Sequence, residues 1–356
     1  MVAKPTAIVL TNGLLDKFDA KTAHGLIRGT ERFDIIGVLD YKFPGRDAGE
    51  VLDGINRNIP VFANVKDAIA QLPHIDFCVI GVATVGGRLP SDFLVIIEEC
   101  ITHKISIVNG LHEFLTDKPH IIAMAVEYGV TLTDVRKPKA KADLHFWSAE
   151  IFSVTAPIIA VIGMDCAMGK RTTCRMLMQA CNAAGISAQM IYTGQTGWLQ
   201  GGQYGFIFDS TLNDFISGEL EHAIVSCWKE QNPSVIFLEG QSALRNPSGP
   251  CGSELLVSGN AKHAILVHAP KRVYYDNDPA WGTIHPVESE IALIKAYGST
   301  VIALALNTEN CTVDEALAYQ QQYAEQLGIP ILLPLQQGVE NIVPEIEAII
   351  KKQAGK

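Results

Sequence analysis

The segment Val161-Ile162-Gly163-Met164-Asp165-Cys166-Ala167-Met168-Gly169-Lys170-Arg171-Thr172-Thr173 determines how the second half of this chain is interpreted. It follows an apolar run over residues 156–160 and leads into a helical pattern over residues 174–184. A β-branched run, a glycine-bracketed loop that ends in Gly-Lys, and a helix together predict a phosphate-binding loop. A phosphorylated compound is therefore the first ligand that the sequence suggests.

The physical basis of this prediction is the backbone of the loop. Gly163 and Gly169 can adopt backbone angles that other residues avoid, so successive N–H groups can turn toward an anion. The helix that begins near Lys170 adds the positive end of its dipole. The alternative is an ordinary glycine turn before a core helix. The predicted cofactor-binding residues are Gly163, Asp165, Cys166, Gly169, Lys170, Arg171, Thr172 and Thr173.

The loop departs from the usual nucleotide-binding pattern at two points. Five residues separate the glycines, and Arg171 stands where serine or threonine would normally hold Mg²⁺. The longer loop resembles that of dethiobiotin synthetase, a ligase with a phosphate-binding loop. The arginine suggests that a second cation, and not a metal ion, faces the phosphates. The sequence shows no cluster of metal ligands with convincing spacing.

The composition indicates a two-domain protein that acts on small molecules. A chain of 356 residues exceeds one typical core. Its 48% apolar and 19% charged residues suit buried parallel sheets. The formal net charge of −10 argues against a nucleic-acid or anionic-membrane surface. We expect small-molecule substrates, no nucleic-acid or membrane partner, and a homo-oligomer.

The cysteines and the apolar runs predict where the protein resides. Eight cysteines include no Cys-x-x-Cys pair, and we expect no signal peptide before them. They therefore fit reduced, mostly buried thiols. The longest apolar runs, such as residues 301–306, are far shorter than a membrane span. The predicted location is the cytoplasm.

The first half of the chain alternates strand and helix patterns. Strands are predicted at residues 7–10, 35–39, 77–82 and 105–108, and helices at residues 21–28, 65–72 and 91–102. This alternation predicts a parallel sheet that is covered on both faces. The fold class is therefore α/β with two doubly wound parallel-sheet domains, the N-terminal one Rossmann-like and the C-terminal one P-loop NTPase-like. The dinucleotide fingerprint is missing after residue 10, so NAD binding is only weakly indicated.

A second resemblance concerns the N-terminal half. Residues 59–68 and 75–81 resemble the CoA-binding domain of the succinyl-CoA synthetase α subunit. The resemblance implies that residues 82–88 face a ligand, and a glycine-rich connection without a ligand is the alternative.

The basic run over residues 134–141 predicts a linker, with anion binding as the alternative. The predicted domains are residues 1–150, CoA-binding-domain-like, and residues 151–356.

Beyond the phosphate-binding loop, polar residues follow the ends of several predicted strands. The strand at 188–192 leads into a glycine-dense stretch that contains Gln195, where the backbone can approach a ligand. Asp209 precedes a long helical pattern. The strand pattern at 234–241 includes Glu239, which either assists at a metal or its water or accepts backbone N–H groups as a structural carboxylate.

Basic side chains follow the strand pattern at 234–241 and a further one at 264–267, and they suit the carboxylates of a small substrate. These are Arg245, His268 and Arg272. If either arginine grips the acceptor, its lysine variant should raise the Michaelis constant for the acceptor most. The alternative is that each arginine pairs with a structural carboxylate. The predicted substrate-binding residues are Gln195, Gln241, Arg245, His268 and Arg272.

Several motifs occur together in register along the whole chain. They are Asp134-Val135-Arg136-Lys137-Pro138, Gly163-Met164-Asp165-Cys166, Gly169-Lys170-Arg171-Thr172-Thr173, Thr193-Gly194-Gln195-Thr196-Gly197 and Glu239-Gly240-Gln241. With these motifs the chain is similar to a family that joins an N-terminal Rossmann-like domain to a C-terminal P-loop domain. Some members of that family are D-glutamate N-acetyltransferases of the DgcN type.

The resemblance implies acetyl-CoA as donor and an amino acid, D-glutamate, as acceptor. The reaction needs a base, cations that orient two carboxylates, and a donor for the oxyanion. The predicted catalytic residues are Asp209 or Glu239 as base, together with Lys170. One alternative is an ATP-dependent ligase or kinase of the dethiobiotin-synthetase kind, in which Glu239 assists Mg²⁺. Another is a nucleotide-binding sensor without turnover.

Overall fold

Two separate parallel sheets organise the chain. The structure is a computed structural model, and it describes residues 3–355. The first compact unit runs up to Pro138 and also takes in Gln195–Gly202. The second unit comprises Lys139–Gly194 and the described residues from Gln203 onward. The two units therefore do not follow a single cut along the sequence.

The first unit contains a six-stranded sheet in the order β3-β2-β1-β4-β5-β6, and all of its paired strands are parallel. Its strands are β1 (Thr6–Leu10), β2 (Asp34–Leu39), β3 (Val61–Phe62), β4 (Phe77–Ile80), β5 (Ser106–Asn109) and β6 (Leu132–Asp134). This is the strand order of a Rossmann fold, so the predicted α/β fold of this half is confirmed.

The helices of the first unit lie between these strands. They are α1 (Lys21–Arg28), α2 (Ala48–Asp53), α3 (Val65–Gln71), α4 (Ser91–Thr102) and α5 (Pro119–Tyr128). The bounds of α1 and α4 agree with the sequence prediction. The prediction missed β3 and β6 because these edge strands have two and three residues, too few to show a periodic pattern.

The carboxylate of Asp40 organises the loop that follows β1. Asp40 is fully buried directly after β2. Its Oδ2 accepts hydrogen bonds from Thr11 Oγ1 at 2.7 Å, from the Gly13 N–H at 2.8 Å and from the Leu15 N–H at 3.0 Å. In dinucleotide-binding proteins an acidic residue in this region binds the ribose, and the loop N–H groups face the pyrophosphate. Here the acidic residue, Asp40, accepts hydrogen bonds from the loop N–H groups of Gly13 and Leu15. This arrangement agrees with the missing dinucleotide fingerprint in the sequence.

The second unit contains a seven-stranded sheet in the order β13-β12-β11-β7-β10-β8-β9, and its paired strands are also parallel. Its strands are β7 (Ile158–Gly163), β8 (Ala188–Tyr192), β9 (Tyr204–Gly205), β10 (Val235–Glu239), β11 (His263–His268), β12 (Thr300–Leu306) and β13 (Ile331–Leu332). The remaining helices are α6 (Lys170–Ala183), α7 (Gln195–Leu199), α8 (Asn213–Gln231), α9 (Ser253–Val257), α10 (Val287–Ala296), α11 (Val313–Leu327), α12 (Pro334–Gln337) and α13 (Val343–Ala354). The fold predicted for the second half is thereby confirmed.

The strand β7 lies at the centre of the second sheet. All six of its residues are buried, and it pairs with β10 on one side and β11 on the other. In the register of these strands, Glu239 lies opposite Val161 and Val267 lies opposite Gly163. Because the strands are parallel, their carboxyl ends meet at one edge of the sheet. That edge carries the phosphate-binding loop.

The glycine-dense stretch after β8 forms the helix α7, which belongs to the first unit. Arg32 Nε donates to the Trp198 carbonyl at 2.7 Å, and Thr30 Oγ1 donates to the Leu199 carbonyl at 2.8 Å. Gly201 has a φ of +98°, and a Cβ atom there would lie 2.8 Å from Glu31 Cβ. We predicted that these glycines allow a ligand to approach, but at Gly201 the close neighbour is the protein itself.

All eight cysteines carry free thiols, five of them buried and three half-buried. None of the helices formed by residues 3–355 combines the length and apolar character that a membrane crossing requires.

We predict that Asp40→Ala destabilises the protein strongly, because it leaves several buried donors without an acceptor. The expected loss in the free energy of unfolding is about 3 kcal/mol. Urea titration followed by circular dichroism measures it. The control is Asp34→Ala, which removes an exposed carboxylate at the start of β2. Equal stabilities of the two variants would contradict the role given to Asp40.

Candidate functional site

The backbone of the loop between β7 and α6 has the conformation of an anion-binding site. Ala167 and Gly169 both have left-handed backbone angles, with φ of +46° and +100°. Within residues 3–355, no protein acceptor takes the backbone N–H groups of residues 166–169. These groups lie at the positive end of α6, where anions bind favourably. The left-handed angle at Ala167 costs roughly 1–2 kcal/mol, so other contacts must hold it.

The side chain of Lys170 is buried beside this loop, with 6% of its surface exposed. Its Nζ donates to the Asp165 carbonyl at 2.6 Å. A Cβ atom built at Gly163 or at Gly240 would lie 3.0 Å from Lys170 Cδ. The aliphatic stem therefore lies against two glycines at the ends of the neighbouring strands β7 and β10. Burial lowers the pKa of Lys170, because the ammonium is removed from water.

The carboxylate of Asp165 faces the protein interior. Asp165 is fully buried. Its Oδ1 accepts from Asn246 Nδ2 at 2.7 Å. Its Oδ2 accepts from the Asp276 N–H at 2.8 Å and from Arg272 Nη1 at 3.0 Å. Asp165 was predicted to bind the cofactor, but the structure places its oxygens in contacts that shape the loop.

Arg272 follows β11 and joins the loop to the next strand end. Its Nη1 also donates to the Cys166 carbonyl at 2.7 Å. Its Nε and Nη2 donate to the two carboxylate oxygens of Glu309 at 2.7 and 2.9 Å. The Arg272 side chain is completely buried. The structure thus places Arg272 in the second predicted alternative, an arginine that pairs with structural carboxylates.

The other basic residues predicted for the acceptor are also engaged within the protein. Arg245 Nε donates to Glu290 Oε2 at 2.7 Å, and its Nη1 donates to Ser289 Oγ at 2.9 Å. His268 is buried, and its Nε2 lies 3.0 Å from the hydroxyl of Tyr323. Burial, together with the charge of Arg272, lowers the pKa of His268 to about 4. His268 is therefore a neutral imidazole at physiological pH and supplies no positive charge.

Glu239 ends β10 and is also buried, with 4% of its surface exposed. Its Oε2 accepts from the Thr193 N–H at 3.0 Å, and its carbonyl accepts from Thr193 Oγ1 at 2.8 Å. Burial raises the pKa of Glu239, although the charges of Arg171 and Lys170 oppose this effect. The structure places Glu239 close to the loop, and it also gives this carboxylate a backbone donor.

Gln241 and Cys166 follow the ends of the neighbouring strands β10 and β7. A Cβ atom at Gly194 would lie 2.6 Å from Gln241 Nε2, so only glycine allows this amide to occupy its position. The thiol of Cys166 is half-buried and donates to Ser242 Oγ at 3.4 Å. Burial raises the pKa of this thiol, so it is protonated at neutral pH.

The remaining predicted site residues lie in three different parts of the structure. Arg171 and Thr172 are half-buried at the start of α6, and Thr173 is buried with its N–H donating to the Gly169 carbonyl at 2.9 Å. Asp209 is exposed in a short 3-10 helix, Phe208–Ser210. Gln195 is buried in the first unit, where a Cβ atom at Gly110 would lie 3.0 Å from its Cγ.

The sequence interpretation missed Asn246, Asp276 and Glu309. Glu309 follows the end of β12, which is the neighbour of β11, and this strand-end position was an available signal. Asp165, Cys166 and Asp276 place one possible ligand atom each within 4.8 Å of one another. However, both carboxylate oxygens of Asp165 already accept hydrogen bonds, so the group is better explained as a structural network.

Two family descriptions match the chain. Residues 145–343 match "Domain of unknown function (DUF1611_C) P-loop domain", and residues 42–138 match "Domain of unknown function (DUF1611_N) Rossmann-like domain". A crystal structure of a DUF1611 family protein from Anabaena variabilis ATCC 29413 is similar, with a TM-score of 0.87 and 25% sequence identity. The similarity covers 96% of this chain and 99% of that chain.

Two curated relatives are similar over most of the chain. One from Tritonibacter scottomollicae is 26% identical over 321 residues, which cover 88% of this chain and 93% of the relative. One from Pseudoalteromonas sp is 27% identical over 274 residues, which cover 75% of this chain and 80% of the relative. Both relatives are named D-glutamate N-acetyltransferase. The family resemblance that the sequence motifs predicted is thereby confirmed.

We predict that Gly163→Ala weakens the binding of a phosphorylated ligand by about tenfold, the loss of one charge-assisted contact of about 1.4 kcal/mol. The new methyl group would push the Lys170 stem away from its position, because Gly240 confines the stem as well. The φ of Gly163 lies outside the left-handed region, so the backbone tolerates alanine.

Calorimetric titration with CoA and, separately, with ATP measures this effect. The matched control is Gly249→Ala, where the added methyl meets only Ser242 Oγ at 3.9 Å, an ordinary contact. Unchanged affinity of Gly163→Ala for both ligands would remove Lys170 from the phosphate site.

Proposed function

This chain belongs to the DUF1611 family, and we propose that it acts as an amino-acid N-acetyltransferase. The donor is acetyl-CoA, and the acceptor is the amino group of D-glutamate. The choice of this acceptor rests on the names of the two curated relatives. The choice of a CoA thioester rests on those names and on the chemistry of the loop.

The observation that carries the proposal is a row of backbone N–H groups, residues 166–169, which lack a protein acceptor within the described chain. This row lies at the start of α6 beside Lys170. Such a row holds phosphate oxygens through hydrogen bonds and the helix dipole. CoA carries a pyrophosphate and a 3′-phosphate that stay intact while its thioester reacts. A loop that only holds phosphate therefore suffices for acetyl transfer.

The residues around the loop support a site that works without Mg²⁺. Arg171 occupies the position where a metal-binding hydroxyl normally stands. In a ligase the carboxylate of Glu239 would assist a metal ion. Here it accepts a hydrogen bond from the Thr193 N–H, and the positive charge of Arg171 stabilises its ionised form. The cationic side chains of Lys170 and Arg171 can thus supply positive charge to a bound phosphate in place of a metal ion.

Acetyl transfer requires the acceptor amine in its neutral form. The ammonium group first loses a proton to a base, and the amine nitrogen then attacks the thioester carbonyl carbon. The carbon–sulfur bond breaks, CoA leaves as a thiolate that takes up a proton, and the new amide loses the second amine proton. We assign the base to Glu239 in preference to Asp209, because burial raises the pKa of Glu239 while Asp209 is exposed.

A thiol-release assay tests the proposed function. Purified protein is incubated with acetyl-CoA and each of D-glutamate, L-glutamate, D-aspartate and D-alanine, with excess EDTA present. The proposal requires CoA release with D-glutamate that survives the chelator. Substrate-dependent ATP hydrolysis that needs Mg²⁺ would establish the ligase alternative, and ligand-induced thermal stabilisation without any turnover would establish the sensor.

We predict that Glu239→Gln lowers kcat by at least about a hundredfold, the usual contribution of a general base. The base must be deprotonated, so the wild-type rate should fall as the pH drops through the pKa of Glu239. Since burial raises that pKa, this fall should begin above about 4.3, the value of an ordinary glutamate.

The pH dependence of kcat/KM distinguishes the two candidate bases. In Glu239→Gln the acid-side fall should disappear, whereas in Asp209→Asn it should remain. The opposite pattern would move the role of base to Asp209.

A further inference from the structure

We propose that Arg272 is a positioning residue that sets the direction of the N–H groups in the phosphate-binding loop. It touches neither the phosphate nor the acceptor, and it acts through the Cys166 carbonyl and the Asp165 carboxylate. The inference rests on the proposed function in one respect, namely that the loop binds phosphate.

The guanidinium of Arg272 connects the loop to Glu309 by hydrogen bonds. Arg272 Nη1 reaches two groups of the loop, the Cys166 carbonyl at 2.7 Å and Asp165 Oδ2 at 3.0 Å. Its Nε and Nη2 are held by both carboxylate oxygens of Glu309. The planar fork is thus fixed on one side by Glu309 and holds the loop on the other. A lysine in this position has one nitrogen and cannot span both sides.

The bond from Arg272 to the Cys166 carbonyl also fixes the direction of one peptide group. In a trans peptide the C=O and N–H groups point in opposite directions. The carbonyl of Cys166 points toward Arg272, so the N–H of Ala167, in the same peptide, points away from it. Ala167 has the left-handed φ of +46°, which an alanine rarely adopts without support. The bond from Arg272 supplies that support at the residue directly before Ala167.

Arg272 also affects the charge beside the loop. A buried carboxylate in the loop would repel an anionic ligand if its charge were not balanced. Asp165 is fully buried, and its Oδ2 pairs with the equally buried Arg272. Arg272 therefore gives a buried cationic partner to the one acidic side chain that the loop sequence from Gly163 to Lys170 contains, and it shares that charge with Glu309.

This role and the role of an acceptor clamp predict opposite kinetic results for Arg272→Lys. A clamp on the acceptor would raise the Michaelis constant for D-glutamate most. A positioning residue of the loop should raise the Michaelis constant for acetyl-CoA by about tenfold or more, and that for D-glutamate less than about twofold. Arg272→Lys should weaken the binding of pyrophosphate, a probe that contains only the phosphate part of CoA, to a similar extent.

The matched control is Arg57→Lys, which alters another arginine bound to a carboxylate by two hydrogen bonds. Arg57 Nη1 and Nη2 donate to the two oxygens of Asp53 at 2.6 and 3.0 Å in the first unit. This variant should bind acetyl-CoA and pyrophosphate as the wild type does. Thermal melts of all variants show whether each is folded.

A second variant, Glu309→Gln, keeps the test decisive if Arg272→Lys does not fold. It weakens the hydrogen bonds on the side of the guanidinium that faces away from the loop, and it leaves the loop sequence unchanged. We expect the affinity for pyrophosphate to fall about threefold, while the Michaelis constant for D-glutamate stays the same. The inference is overturned if Arg272→Lys and Glu309→Gln, whichever of them fold, bind pyrophosphate as tightly as the wild type does. It is also overturned if either variant raises the Michaelis constant for D-glutamate more than that for acetyl-CoA. If the wild type binds pyrophosphate but releases no thiol from acetyl-CoA, the proposed function fails while the positioning role stands.

Discussion

The burial of Lys170 is the constraint on which the organisation of the second unit depends. An ammonium removed from water is costly unless its hydrogens find acceptors. Here the Asp165 carbonyl accepts one of them at 2.6 Å, and the aliphatic stem lies against Gly163 and Gly240, where any larger residue would crowd it. The lysine is therefore held at the start of α6, beside the backbone N–H groups of the loop, because β7 ends in Gly163 and Gly240 directly follows β10.

The sequence predicted the fold well, because the fold depends on local patterns. The loop segment, the strands on either side of β7 and the position of Glu239 all follow from runs of buried residues and the glycines after them. The roles of Arg245 and Arg272 could not be predicted in the same way. Each arginine pairs with a carboxylate that lies 37 to 45 residues away, and no periodic pattern records such a pair.

The helix α7 shows a second limit of local patterns. Its five residues include a glycine, and the stretch that follows contains two more, so composition alone favours a loop. Contacts with residues of the first unit, such as those of Arg32 and Thr30, hold it as a helix instead.

The buried carboxylates also show that a position in the sequence does not by itself determine a role. Asp40 lies where Rossmann folds often carry a ribose-binding acid, and Asp165 lies inside the phosphate-binding loop, yet both serve to fix the loops that surround them.

We propose that the loop at residues 163–170 holds a phosphate of CoA without a metal ion. A crystal structure of the protein grown with CoA and excess EDTA tests this proposal. We expect a CoA phosphate within hydrogen-bond distance, about 3 Å, of the backbone N–H groups of residues 166–169, with Lys170 Nζ turned from the Asp165 carbonyl toward it. CoA bound with all its phosphates away from this loop would show that the loop does not hold the cofactor.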